Sequence, residues 1–196
     1  MPRRLANVLT MAAAAALAAG CGSSPPSRFY LLNATATAAG TAAQYAVVVG
    51  PVSIPAAVDQ PELALQTAPN QVTRDEFNRW AAPLQDQIGR IVAADLATLL
   101  GTPRVTSVPL AHFDAAYRVA INVQRFESVP GQSATIEAVW VVYSSAGGAA
   151  RSGHTLAHET VADGSFDALV AAHSRALATV SADIAAAIRA SAAGAR

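Results

Sequence analysis

The side chains that could do chemistry in this 196-residue chain are few and scattered. His154 and His158 stand four apart, a spacing that presents two imidazoles to one metal only on a helix. Both fall in a segment that reads as loop and strand. His112 is isolated, and His173 sits on an apolar helical stripe, so the four histidines read as surface or hydrogen-bonded groups. Asp75 and Glu76 are adjacent, and neighbours on a chain diverge in direction, which suits a solvated pair better than an acid/base dyad. No serine lies in a Gly-x-Ser-x-Gly turn. The sequence has no lysine at all, which excludes Schiff-base chemistry, a Ser-Lys dyad and a P-loop lysine. The Gly147-Gly148 pair sits among small residues and makes a turn, not a dinucleotide fingerprint. No catalytic residue, metal site or cofactor is expected.

The chemistry that does stand out is at Cys21, the single cysteine. Arg3 and Arg4 give a charged start, Leu5 to Ala19 an uncharged apolar run, and Leu17-Ala18-Ala19-Gly20 small residues just before the thiol. A membrane span needs ~20 strongly apolar residues, whereas this layout is that of a secretory signal peptide over 1–20. The segment resembles the lipobox of bacterial lipoproteins, with Ala18 where leucine is usual. Cys21 is thus the expected lipidation site, the alternative being an ordinary cysteine near a conventional cleavage point. With no second cysteine, no internal disulfide can form. One acyl chain anchors marginally and two or more hold stably, at ~0.8 kcal/mol per buried methylene. Gly22 stands where an aspartate would signal inner-membrane retention, which favours the outer membrane. The 13 basic and 13 acidic residues balance, and loss of Arg3 and Arg4 leaves acids in slight excess. No basic stripe supports nucleic-acid binding.

These groups need a scaffold. Residues 21–27 read as a lipidated Ser-Pro tether and 28–190 as one domain, with 191–196 a disordered tail. Arg28 to Leu32, Tyr45 to Val52 and Glu62 to Thr67 read as strands. From Pro83, the residues Leu84, Ile88, Ile91, Val92, Leu96, Leu99 and Leu100 build a helical stripe that ends at Gly101. Tyr117 to Phe126 and Thr135 to Tyr143 alternate as paired strands about Pro130-Gly131, with Thr155 to Val161 a third strand. Asp163-Gly164-Ser165 caps a final helix with Phe166, Leu169, Val170, His173, Leu177, Val180, Ile184 and Ile188 inward. The expected fold class is α+β: a single domain, with one mainly antiparallel sheet and two helices on one face.

Two segments are richer than a scaffold requires. One is Gly50-Pro51-Val52-Ser53-Ile54-Pro55 with Asp59-Gln60-Pro61. The other is Arg74 to Leu84, where Phe77, Arg79 and Trp80 cluster. An arginine beside a large aromatic suits an interface. It equally braces a helix start, with Trp80 in the core and Arg79 stacked or paired, and that structural role is the favoured one. Asp59, Arg79 and Trp80 are the candidate partner-contact residues.

In this order and spacing, these segments together resemble the PqiC (YmbA) family of ABC-type transport auxiliary lipoproteins. The other matching stretches are Arg28-Phe29-Tyr30-Leu31-Leu32, Leu99-Leu100-Gly101-Thr102, Tyr117-Arg118-Val119, Arg125-Phe126 and the terminal helix. Gln60 replaces a frequent arginine, and Ala82 a frequent acid. The resemblance implies a lipid-anchored outer-membrane protein facing the periplasm. It implies a non-enzymatic role beside an MCE-domain membrane protein and its transporter, moving lipid between membranes. Homo-oligomeric rings belong to the same implication. Direct carriage of lipid or another hydrophobic ligand is the alternative role.

Overall fold

The computed structural model describes residues 25–38, 42–108 and 111–194. The expected signal peptide, Cys21 and the end of the expected tail lie outside the described residues. In chain order the elements are β1 (Arg28–Tyr30), β2 (Val47–Ser53), β3 (Glu62–Ala68), β4 (Gln71–Trp80), α1 (Leu84–Leu100), β5 (Val105–Thr106), β6 (Tyr117–Val129), β7 (Ser133–Ser144), β8 (Arg151–Thr160) and α2 (Phe166–Gly194).

The domain is α+β, and both helices pack on one face of the larger sheet. The strands do not form the one sheet expected from the sequence. They divide into a three-stranded sheet, β1-β4-β3, and a five-stranded sheet, β5-β2-β6-β7-β8. Both are mixed: β1 runs parallel to β4, and β2 runs parallel to β5 and β6. Parallel pairs need a crossover, and α1 lies in the connection from β2 to β5 and β6. The β6-β7-β8 meander has the short antiparallel links visible in the sequence; the β3-β4 hairpin is antiparallel too, but its second strand is not among the expected elements.

The apolar stripes form the core. Ile88, Val92, Leu96 and Leu100 of α1, and Leu169, Leu177, Val180, Ile184 and Ile188 of α2, are buried against Val119, Ile121, Ile136 and Ala138. α2 is long and apolar enough to cross a membrane by length and composition, and here its stripe is the centre of the domain. It runs on to Gly194, past the residue-191 boundary set for the tail. Gly101 closes α1 in the left-handed region at φ 64°, where a side chain would be strained. Ser165 caps α2 by accepting the Ala168 amide at 3.1 Å, and Asp163 accepts the Ser165 amide at 2.7 Å.

A bulge in β6 sets what the larger sheet buries. Tyr117, Val119, Ile121 and Val123 point inward; the register then slips between Val123 and Arg125. The extra residue reverses the alternation, so Phe126 and Ser128 turn inward and Arg125 and Glu127 face water.

Candidate functional site

The two unusual sequence segments converge on the start of α1. A turn closed by the Val58 amide on Pro55 O, at 3.0 Å, leads into Asp59-Gln60-Pro61. Buried Val58 pins that turn, and Asp59 stays exposed. Pro61 O accepts the Trp80 amide at 2.7 Å, and Tyr30 O accepts the Ala81 amide at 2.9 Å. The result is a notch of about 310 Å³ lined by Asp59, Gln60, Pro61, Trp80, Ala82, Pro83 and Leu84. On the other side of Ala82, a second depression of about 580 Å³ runs along Gly50, Pro51, Val52, Gln85, Asp86, Gly89, Arg90, Ser107 and Val108. Gly89 lets this wall close up: a Cβ there would stand 3.4 Å from the Val52 side chain.

Asp59 and Trp80 therefore meet at one notch, and Arg79 does not. Trp80 is only 6% exposed and packs edge-to-face on Phe126 at 6.1 Å, in the core role favoured from the sequence. Arg79 is its neighbour on a strand and points to the opposite face. There its guanidinium pairs with Glu62 at 2.9 Å and its Nε donates to Glu76 O at 3.1 Å. The segment leading to Trp80 is the strand β4, which periodicity did not predict. Gln71 to Arg74 are all exposed, so no alternation of burial marks them. Asp75 shapes that strand. Its Oδ1 accepts the Phe77 amide at 3.0 Å, the Asn78 amide at 2.8 Å and Asn78 Nδ2 at 2.9 Å, where the register slips between Glu62 and Leu63. Burial pushes the Asp75 carboxyl up, but the bonds from Asn78 and Phe77 outweigh it and hold the group below the usual carboxylate range.

Sequence reading missed a set of buried polar groups that hold the stretch after β1. The Leu32 amide donates to Gln87 Oε1 at 2.9 Å, and Gln87 Nε2 donates back to Ala82 O at 2.8 Å, beside the notch. The Thr35 and Ala36 amides donate to Asp95 Oδ1 at 3.0 and 2.9 Å, and Ser181 donates to its other oxygen at 3.3 Å. The Asn33 amide donates to Ser174 Oγ at 3.1 Å. Residues 32–36 thus form a strap stitched to both helices. The available signal was polar residues flush against the apolar stripes, Gln87 before Ile88 and Asp95 before Leu96. Desolvation raises the Asp95 pKa, and the bonds from Ala36, Thr35 and Ser181 oppose that rise.

The histidines are spread through the fold. His154 Nε2 lies 2.8 Å from Glu137 Oε1 on the open sheet face, and His158 Nδ1 lies 2.9 Å from Thr135 Oγ1. That His154 contact, ahead of the opposing effect of burial, holds the Glu137 carboxyl low. His173 is 1% exposed, with Nε2 2.8 Å from Ser128 Oγ and Nδ1 without a partner among the described residues. Burial drops its pKa to about 3. A base so weak, with no third group to orient it, activates a serine poorly. Among the described residues no three His, Cys, Asp or Glu side chains gather to hold a metal.

Residues 30–185 match the family described as ABC-type transport auxiliary lipoprotein component. The chain belongs to this family. In the auxiliary lipoprotein fold the matched span takes in both depressions, the strap and most of α2. Two crystal structures share the fold. One, of an uncharacterized protein, is 21% identical with a TM-score of 0.70, covering 84% of this chain and 99% of its own. The other, a Xanthomonas campestris protein of family DUF330, is 20% identical with a TM-score of 0.68 and the same coverage. No curated protein matches the chain.

Proposed function

We propose that this auxiliary lipoprotein is a non-enzymatic docking subunit of an MCE-domain intermembrane lipid transport system. In this reading Cys21 anchors it by lipid to the outer membrane, with the domain facing the periplasm. One observation carries the docking role: the two segments richest in interface-type residues fold from distant parts of the chain onto the start of α1. The depressions there are open, mixed in polarity and share Ala82. A partner segment can lay apolar groups on the exposed Pro61 and Pro83, over the buried Trp80, while Asp59, Asp86 and Arg90 fix its orientation, the usual division between anchor and rim. The buried, weakly basic His173 supports a non-enzymatic role. Arg79, on the opposite face, would contribute to docking only from the edge.

Deleting the protein should weaken the envelope, seen as increased uptake of a normally excluded dye. The wild-type chain should restore the barrier, and the Asp59→Arg chain, expressed at equal level, should not. Full rescue by Asp59→Arg would remove the notch from the account.

Direct carriage of lipid has one observation behind it. A groove of about 290 Å³ between β3-β4 and β6 is lined by Pro55, Ala57, Val58, Ala64, Val72 and Phe126. That is at the lower edge of the ~300–1,000 Å³ usual for small-molecule sites, so docking is preferred. Native mass spectrometry distinguishes the two, since a carrier retains lipid and a docking subunit does not.

A further inference from the structure

The first strand and the two residues that follow it bury one side and leave the other bare. Tyr30 and Leu32 are 7% and 2% exposed, while Phe29 and Leu31 between them are 64% and 47% exposed. Side chains two apart on an extended chain share a side, so Phe29 and Leu31 make a single outward apolar pair. Within the small sheet Phe29 is in register with Arg79, and Arg79 with Glu62. The row Phe29-Arg79-Glu62 therefore crosses all three strands, and its cation is already neutralised at 2.9 Å. β1 is an edge strand, and among the described residues no other strand covers its far side.

The position of this pair in the chain points to what covers it. Pro25, Pro26 and Ser27 are exposed and lack regular structure, and Cys21 precedes Phe29 by eight residues. Fully extended, that stretch spans at most about 28 Å. A lipid anchored at Cys21 keeps a bilayer within that distance of Phe29 throughout the life of the protein. Tethering makes contact with the surface effectively intramolecular, so even a weak apolar contact is populated. Aromatic and aliphatic side chains are the groups that sink into the boundary between headgroups and acyl chains.

We propose that Phe29 and Leu31 insert into the phospholipid surface on which the Cys21 anchor ends, setting the orientation of the domain against the membrane. The inference rests on the lipid-anchor reading and adds a second, protein-made contact to it. Arg79 is paired and Arg28 is the single exposed cation next to the pair among the described residues, so the contact is mainly apolar and should largely persist at high salt, unlike attachment through a basic cluster. It also gives the strap at residues 32–36 a role, since the strap fixes the inserted strand to both helices.

The test uses the full chain in its own cells, with benzoylphenylalanine placed singly at Phe29, Leu31, Tyr143 and Leu156. The last two are 47% and 56% exposed, and they sit on the larger sheet. Irradiation should attach phospholipid to the chain at positions 29 and 31 with a yield several-fold above positions 143 and 156, and raised salt should leave most of that excess in place. Equal yields at all four positions, no lipid at 29 and 31, or a protein adduct there in place of lipid would each overturn the proposal. Intact mass reads the Cys21 acyl groups separately. Acyl mass without adducts sinks the insertion alone, and adducts without acyl mass sink the anchor alone.

Discussion

The imidazole of His173 lies flat on the ring of Phe126, 4.0 Å between centroids and 9° from parallel. This contact joins α2 to β6 just past the bulge, and Trp80 meets Phe126 edge-on from the small sheet. Three elements distant in sequence thus meet at one aromatic cluster. Its histidine is neutral in the fold.

That neutrality has a pH signature. His173 has a pKa of about 3 in the folded chain against 6.5 when exposed. Between these values the unfolded chain binds the extra proton, so stability is full above pH 6.5 and falls as the pH drops toward 3. The loss should be on the order of 2 kcal/mol by pH 5, at 1.36 kcal/mol per pKa unit. Asp95, raised by burial, works the other way at lower pH. Urea unfolding at pH 7.5 and pH 5 should show a smaller drop for His173→Leu than for the wild type. Equal drops would contradict the assignment.

Asp95 holds the strap. Asp95→Ala strips the charged acceptor from the part-buried Thr35 and Ala36 amides and should cost about 1–3 kcal/mol, the worth of hydrogen bonds to an ionised group whose donors water can partly reach. Asp95→Asn keeps an oxygen in place and should cost less. Amide exchange at residues 35 and 36 should speed up in the alanine variant while exchange in the β6-β7 ladder stays slow. Unchanged exchange at those amides would rule out the strap.

Gly153 lies under Trp140 in the β7-β8 pair. A Cβ at Gly153 would sit 2.2 Å from the Trp140 ring, so Gly153→Ala must displace the indole. The hydrogen bond from Trp140 Nε1 to Thr155 Oγ1, 3.0 Å, goes with it. A loss of about 1–3 kcal/mol is expected from the overpacking, with red-shifted tryptophan fluorescence. Unchanged fluorescence would mean the ring has room.

Arg79 and Trp80 should separate cleanly. Arg79→Ala breaks a half-exposed ion pair and should cost no more than about 1 kcal/mol. Trp80→Ala empties a core position and should cost about 3–5 kcal/mol. Chemical denaturation measures both, and similar costs would mean that Arg79 braces the fold as much as Trp80 does.

Helices and meander were legible in the sequence because burial and periodicity agree there. Leu84 to Leu100 and Leu169 to Ile188 keep one stripe inside, and Tyr117 to Val123 alternate. β4 was not legible, since much of it is bathed in water, and neither was the split into two sheets, which depends on parallel pairings between distant segments. Of the candidate site, Asp59 and Trp80 came from residue type alone. Glu62 as the partner of Arg79 required the hairpin register, in which Asp75 folds four residues of β4 against one step of β3. Gln87 and Asp95 were visible only as polar residues beside apolar stripes, a pattern that solvated helix faces share.

The most direct test of the account is what the intact chain carries out of the membrane. Tagged at its C-terminus and purified from gently solubilised envelopes, it should bring along an MCE-domain protein, identified by mass spectrometry, and Asp59→Arg should reduce that recovery. Recovery of the chain without any MCE-domain protein, under conditions that keep its acyl anchor, would contradict the docking role.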